Sequence, residues 1–279
     1  MHQHALQFIH LTDLHVDAAG PHHGIDAGER LERCIAHIAR HFPQAAFIAV
    51  TGDLTERGDA ASYQQLLAAF SLAPCPVFTV PGNHDAPLNM AQVFGRSAMT
   101  SLAQTHAPGR CLWTEVLETP LFDAIFLNTH QDGCAGGRLQ LDSLTLLHEV
   151  LCKPSKKPVL LFMHHPPFAS GIACMDAIGL SNSEALRHLL TSAPRQPAGI
   201  FCGHLHRTMA GIWHHIPVWC LRSVVQQVDI HATEATRVTY CHETPEYAVV
   251  SLGITAEETL EILSQTVRFT EPSCSYLSD

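Results

Sequence analysis

Short apolar runs that stop abruptly in polar residues recur five times along this chain, and they constrain its fold more than any other feature. Gln7 to Leu11 runs into Thr12-Asp13-Leu14-His15, and AAFIAV runs into Thr51-Gly52-Asp53. Pro76 to Val80 runs into Pro81-Gly82-Asn83-His84-Asp85, Pro158 to Met163 into His164-His165-Pro166-Pro167, and Ala198 to Cys202 into Gly203-His204-Leu205-His206. Runs of this length bounded by turn residues read as buried strands. Helical patterns separate the first three. Residues 28–42 set Leu31, Ile35, Ile38 and Phe42 at helical spacing, and residues 60–72 set Tyr63, Leu66, Leu67 and Phe70 on one side. Strands that alternate with helices predict a parallel sheet whose strand ends gather at one edge.

The middle of the chain reads differently. Leu112–Glu118 and Ala124–Asn128 resemble neighbouring strands joined by a turn near Thr119-Pro120, which predicts a second sheet. A helix is expected over 141–151 and another over 183–191, with further strands over 211–221 and 247–252. No repeat or linker interrupts the pattern. The architecture implied is α/β, two packed sheets flanked by helices, with 1–279 as a single domain. The motif-bearing core spans about 5–210, and the C-terminal strands of 211–279 are expected to complete the second sheet and contribute an oligomer interface.

The chemistry rests on the strand ends. Asp13 and His15, Asp53, Asn83 and His84, His164, and His204 and His206 offer imidazole, carboxylate and amide oxygen, a donor set suited to two ions of Mn, Fe, Co or Zn. Residues two apart on an extended segment share a side, so Asp13 pairs with His15 and His204 with His206. Asp53, central in the series, is the natural bridge between two ions. A single HxH or DxH means little, whereas five such ends in order, each after a strand, define a centre. Two ions about 3.5–4 Å apart clamp a phosphoryl group and lower the pKa of a water towards ~7, so the expected reaction is in-line attack by a hydroxide on phosphorus. No GxSxG elbow or P-loop offers a protein nucleophile.

The series DLH, GD, GNHD, HHPP and GHLH resembles the calcineurin-like metallophosphoesterase superfamily from residue 13 to residue 206. The stretches GDLTERGDAASY and MHHPPFASGIACMDAIGL resemble the class III cyclic nucleotide phosphodiesterases and the related bacterial glycerophosphodiesterases, and IFCGHLH and YCHETPEY are most similar to the latter. The resemblance implies a four-layer α/β/β/α fold, a dinuclear site and a homodimer or higher oligomer. It implies that Asp13, His15, Asp53 and His206 hold one metal, and that Asp53, Asn83, His164 and His204 hold the other. His84 would contact the substrate phosphate and assist the leaving group, as the catalytic residue. Asn83 would also face substrate, as would His165 unless it only props the His164 loop. GDLTERG also resembles the GDxxDRG of protein serine/threonine phosphatases, which would make Arg57 a phosphate ligand. Asp85 stands where those enzymes carry glutamate, so Arg57 reads as a loop residue.

The pocket walls are less sharply marked. Phe168 to Leu180, with Phe168, Gly171, Met175 and Ile178, reads either as a loop packed on the core or as an apolar wall with a glycine hinge. Trp213 to Tyr247, with His215, His231, Tyr240 and His242, reads as the opposite wall, and His22 and His23 as a surface loop or pocket lining.

Composition narrows the partners. Formal net charge is −10, from 26 acidic and 16 basic side chains. No basic footprint for long nucleic acid is present, so a small phosphodiester (a 3′,5′-cyclic nucleotide such as cyclic AMP, or a glycerophosphodiester) is the expected substrate. A phosphomonoesterase or a nuclease would share these motifs, and a non-enzymatic scaffold would have lost some of them. No run approaches the ~18 apolar residues of a membrane helix. The first dozen residues lack a basic region followed by a long apolar run, so a cytoplasmic protein is expected. The ten cysteines include no CxxC pair and read as free thiols, with Cys241 and Cys274 the one pair to examine for a disulfide.

Overall fold

The structure is a computed structural model that describes residues 6–22, 24–99, 113–231, 237–255 and 259–269. β1 (Leu6–Leu11) is followed by α1 (Ala27–His41), β2 (Ile48–Thr51), α2 (Ala60–Phe70), β3 (Val77–Val80) and α3 (Pro87–Met99). Next come β4 (Glu115–Glu118), β5 (Asp123–Leu127), α4 (Leu141–Cys152), β6 (Val159–Met163), α5 (Ala173–Asp176), α6 (Ser183–Ser192) and β7 (Pro197–Cys202). The chain continues through β8 (Met209–Trp213), β9 (Ile216–Cys220), β10 (Gln227–Val228), β11 (Tyr240–Cys241), β12 (Glu246–Ile254) and β13 (Leu260–Arg268).

Local chemistry explains the helices. The Asp26 side chain accepts from the Glu29 N–H and starts α1, which buries Leu31, Cys34, Ile35 and Ile38 along one stripe. Asp59 does the same for α2 through the Ser62 N–H. Phe42, expected inside the first helix, is its C-cap instead, and Leu67 lies at the outer flank of the buried stripe of α2.

Two mixed sheets form, in the orders β13-β12-β1-β2-β3 and β4-β5-β6-β7-β9-β8, with β10 and β11 as a small separate pair. β1, β2 and β3 are parallel, and so are β5, β6, β7 and β9. Alternate residues of these strands serve two cores. On β1, Ile9 and Leu11 pack under α1, while Phe8 faces the other sheet. On β6, Leu161 and Met163 pack towards α4 and α6, while Leu160 and Phe162 face the first sheet. The result is four layers, α/β/β/α.

One expectation about the C-terminal part needs correction. Only β8 and β9 extend the second sheet, whereas β12 and β13 join the first, with β12 antiparallel to β1. The reason is visible in β12, which is buried from Glu246 to Gly253 and so requires a strand on each side as well as cover on both faces. The proposed Cys241–Cys274 bond involves a cysteine outside the described residues. No helix among the described residues is long and apolar enough to cross a membrane.

Aromatic rings bind the sheets together. Phe162 stacks on Phe126 at 4.7 Å and on Phe201 at 5.2 Å, and meets Phe8 edge-on at 5.5 Å. Aromatic pairs of this kind add to the burial they provide. Phe162→Ala is therefore expected to cost about 3–5 kcal/mol in denaturant unfolding, the range for a buried phenylalanine. A loss below about 1 kcal/mol would show that the two sheets do not depend on this layer.

Candidate dinuclear metal centre

Five residues at the strand ends adopt a backbone conformation that side chains usually avoid. Asp13 (φ 52°), His15 (φ 47°), Asp53 (φ 48°), His204 (φ 67°) and His206 (φ 50°) all lie in the left-handed region. Each such residue costs on the order of 1 kcal/mol, and such strain persists where the surroundings over-determine it. Here the surroundings are hydrogen bonds between strand ends. The Asp13 N–H donates to the Gly52 carbonyl at 3.0 Å, the His15 N–H to Asp53 O at 3.0 Å and the Gly203 N–H to His164 O at 3.0 Å. Gly52 (φ 95°) has no Cβ because one would sit 2.5 Å from the His164 ring.

The side chains converge accordingly. Donor atoms of Asp13, His15, Asp53 and His206 all lie within 4.8 Å of one another, and those of His164, His165 and His204 form a second group. Asn83 Oδ1 lies 3.2 Å from His164 Nε2 and 3.0 Å from His204 Nδ1. Asp53 Oδ2 is 3.6 Å from His15 Nε2 and 3.5 Å from His164 Nε2, so one carboxylate oxygen touches both groups.

Hydrogen bonding fixes which nitrogens face inward. Nδ1 of His15 donates to Glu56 Oε2 at 2.8 Å, that of His164 to the Thr51 carbonyl at 2.7 Å, and that of His206 to the Gln226 carbonyl at 2.7 Å. A neutral imidazole that donates through Nδ1 leaves Nε2 bare. The Nε2 atoms of His15 and His206 stand 3.1 Å apart, and that of His206 is 3.2 Å from Asp13 Oδ1. Acceptors gathered this closely need a shared proton or a metal cation between them. Backbone acceptors and a carboxylate behind ligating imidazoles are the usual support of a metal site. The residues therefore fit a pair of divalent cations.

Electrostatics agree. His164 would lose its charge through burial, but Asp53 beside it more than compensates and lifts it to about 9. His206 is raised in the same sense, its burial outweighed by Asp13. Asp53 is held well below the usual carboxylate range, its burial overcome by His164, His84 and His15. His204 is pushed well below the ordinary imidazole value by burial and by His165 and His164, which keeps it neutral.

His84 stands at the rim, a third exposed at its side chain. Its Nδ1 donates to the Glu56 carbonyl at 3.0 Å and its backbone N–H to Asp53 Oδ1 at 2.8 Å. Burial lowers its basicity, yet Asp53 and Glu56 leave it raised overall. His165 is fully buried, with Nδ1 on the Thr129 hydroxyl at 2.9 Å and Nε2 donating to Ala135 O at 3.0 Å. That geometry props the His164 strand end and leaves His165 no nitrogen for substrate. Arg57 points its guanidinium at Asp17, 3.0 Å away, with the side chain 60% exposed, as a loop residue should.

Three residues that support the centre carried no distinctive sequence signal. Glu56 orients His15 and His84 together. The buried Asp85 carboxylate accepts from the N–H groups of Leu54 (3.0 Å), Thr55 (3.2 Å) and Gly82 (2.9 Å) and from the Tyr63 hydroxyl (3.0 Å), which ties the Asp53 turn to the Asn83 turn. His130, at the end of β5, donates from Nδ1 to Gly82 O at 2.9 Å. Only the GNHD spacing hinted at Asp85.

Of the expected walls, the loop from Phe168 to Leu180 is pinned by Asp176, which accepts from Ser170 N (2.6 Å), Ser170 Oγ (2.7 Å) and Gly171 N (3.0 Å). Gly171 (φ 81°) is thus fixed within a turn. On the opposite side the Tyr240 ring lies 5.7 Å from that of His206, and burial, with Asp53, Glu56 and Asp13 nearby, pushes its hydroxyl up to about 12. His215 sits apart from the centre, in the β8–β9 turn.

Residues 6–208 match the family model described as calcineurin-like phosphoesterase, and the chain belongs to that family. It is 32% identical to a probable cyclic nucleotide phosphodiesterase of Rhodopseudomonas palustris, with 88% of each chain covered. It is 29% identical to a probable glycerophosphodiester phosphodiesterase of Arcobacter nitrofigilis over 85% of each. Among solved structures, a purple acid phosphatase from yellow lupin shares the fold at a TM-score of 0.59, with 12% identity over 95% of this chain and 52% of that one.

Metal uptake should carry a pH signature. In the metal-free chain His164 holds a proton up to about pH 9, and a metal needs its bare Nε2. Binding below pH 9 must therefore expel that proton, and the apparent affinity should rise by up to about tenfold per pH unit for each proton displaced. Titration of metal-free protein in weak buffer at pH 7 and 8 measures both effects. An affinity independent of pH from 6.5 to 9 would show that no proton leaves His164 when metal binds.

Proposed function

We propose that this chain hydrolyses small phosphodiesters, cyclic nucleotides or glycerophosphodiesters, at a dinuclear site. The observation that carries this reading is the single Asp53 oxygen within 3.6 Å of His15 and 3.5 Å of His164, the position of a ligand shared by two ions. Asp13, His15, Asp53 and His206 would hold one ion, and Asp53, Asn83, His164 and His204 the other. The donors suit Mn, Fe, Co or Zn. When bound, such a pair supplies Lewis acidity towards the phosphate and water deprotonated near neutral pH.

The protein's own groups do the rest. Glu56, Thr51 and Gln226 hold Nδ1 of His15, His164 and His206, so each ring turns its Nε2 towards the centre before any ligand arrives. His84, anchored through Nδ1, presents Nε2 as the group that can protonate the departing oxygen. Its raised basicity keeps a larger protonated fraction at neutral pH than an ordinary imidazole has. The relatives' names support a diester substrate, and a net charge of −10 disfavours long nucleic acid. A cytoplasmic homodimer or higher oligomer is part of the same reading.

A panel on metal-reconstituted protein tests it: 3′,5′-cyclic AMP, glycerophosphoethanolamine, bis-nitrophenyl phosphate, a monoester and duplex DNA. Turnover is expected on the small diesters, and cleavage of DNA alone would point to a nuclease. Asp53→Ala should lose metal occupancy as well as rate, and two retained ions would refute the bridge. His84→Ala should keep both ions and lose about 10²–10⁴-fold in kcat on alkoxide leaving groups. The loss should be smaller for nitrophenolate, which leaves without a proton, and an equal loss would assign His84 to phosphate binding alone.

A further inference from the structure

Four rings form a continuous row along one side of the metal centre. His84 meets His15 at 4.8 Å, His15 meets His206 at 4.9 Å, and His206 meets Tyr240 at 5.7 Å. The first three have been given their work. Tyr240 is no ligand, and it remains 40% exposed although its ring abuts a residue that is itself buried. A large aromatic side chain half open to solvent beside a phosphate-binding centre is placed to touch what the phosphate carries.

Its placement is rigid. Tyr240 lies on β11, which pairs with β10 in the register Val228↔Tyr240 and Gln227↔Cys241. A pair of two-residue strands has little stability of its own. Here it is clasped by Arg207, the residue directly after His206. Its guanidinium donates to the Val228 carbonyl, to Glu243 Oε1 and to Cys241 Sγ, the last at 3.2 Å. The Glu243 N–H donates to Gln227 Oε1 at 2.9 Å, and the Asp229 N–H to Thr239 O at 2.7 Å. The same segment supplies the Gln226 carbonyl that orients His206. One short stretch thus sets a metal-facing imidazole and the aromatic ring next to it, and Arg207 fixes both to the same strand end.

We propose that Tyr240 is the specificity-determining residue of this site, its ring forming the surface on which a planar organic group of the diester stacks. His84 and Tyr240 occupy opposite ends of the ring row, so the phosphate sits between a proton donor and a stacking face. A flat heteroaromatic substituent gains from such a face, whereas a flexible glycerol substituent has no flat surface to offer it. Base-on-aromatic stacking is worth roughly fivefold to more than a hundredfold in affinity. The site accordingly favours diesters bearing a nucleobase or similar ring over those bearing only glycerol or an alkyl amine. This inference rests on the phosphodiesterase reading above.

The test compares kcat/KM for 3′,5′-cyclic AMP and glycerophosphoethanolamine in the metal-reconstituted wild type, Tyr240→Phe, Tyr240→Leu and Tyr240→Ala. Tyr240→Phe should keep the wild-type ratio of the two substrates. Tyr240→Leu and Tyr240→Ala should lower that ratio about tenfold, through KM for cyclic AMP. The leucine variant keeps bulk in the wall, so its agreement with alanine separates a stacking face from mere filling. Equal losses on both substrates, or a phenylalanine variant as poor as alanine, would overturn the assignment. Calorimetric binding of adenosine 5′-monophosphate to the same four proteins gives an arm without turnover. Were neither diester hydrolysed by the wild type, the phosphodiesterase reading would fall. Weaker nucleotide binding in the alanine and leucine variants would still uphold the ring, and unchanged binding would reject it.

Discussion

The Asp53 carboxylate lies between two sets of imidazoles whose Nε2 atoms are turned inward by the groups behind them, and the architecture around it serves to hold that arrangement. One Asp53 oxygen accepts the His84 N–H and the other faces His15 and His164. A buried anion of this kind is tolerable only among cations. In the metal-free chain protons fill that role, which is why His164 and His206 are raised while Asp13 and Asp53 are lowered. A proton neutralises one nitrogen at a time, whereas an ion satisfies several donors together, so the same pocket that is tense when protonated is suited to metal.

That pocket needs turns that residues with a Cβ resist, and the strain at Asp13, His15, Asp53, His204 and His206 is met by structure outside the centre. Asp85 gathers three backbone N–H groups from two turns, and Ser223 donates its hydroxyl to the Asp13 carbonyl at 2.7 Å. Beneath them the phenylalanine layer fixes one sheet against the other. Strand ends from different sheets, such as Asp53 on one and His164 on the other, can meet to within a hydrogen-bond length only because the layers cannot slide.

The strand ends whose Asp and His side chains cluster were legible in the sequence because each combines two independent signals, an apolar run and an abrupt polar stop, and both are local. Glu56, Asp85 and His130 were not, because their meaning lies in partners far along the chain: Glu56 serves His15 41 residues away, and His130 serves Gly82 48 away. The same limit explains the misplaced C-terminal strands. β12 pairs with β1, joining Leu252 to Leu6, and no local pattern announces a contact across nearly the whole chain. β13, with half-buried and exposed residues roughly alternating, is an edge strand recognisable only once β12 is in place. His165 shows the opposite case. Its position beside His164 left substrate contact open beside a propping role, and two hydrogen bonds and full burial fit the prop.

A centre built this way specifies a reaction more closely than a substrate. The lupin phosphatase shares the layered fold at 12% identity, and fold alone does not decide what is bound. Two segments continue directly from the strand ends that carry His164 and His206, and both are stiffened. Asp176 pins the turn at Ser170 and Gly171. Ser181, just after it, ties the same segment to the connection between β5 and α4, its N–H donating to the Gly137 carbonyl at 2.8 Å. Arg207 pins the other through β10 and β11. A preformed pocket gains affinity by losing less entropy on binding, at the expense of adaptability. The chain has placed that rigidity at positions adjoining its ligands: Arg207 next to His206, and the Pro166-Pro167 step next to His165 and one residue beyond His164. The two stiffened segments are thereby joined to the His164 and His206 strand ends through a single peptide bond or two, so a displacement in either is passed to the clustered imidazoles.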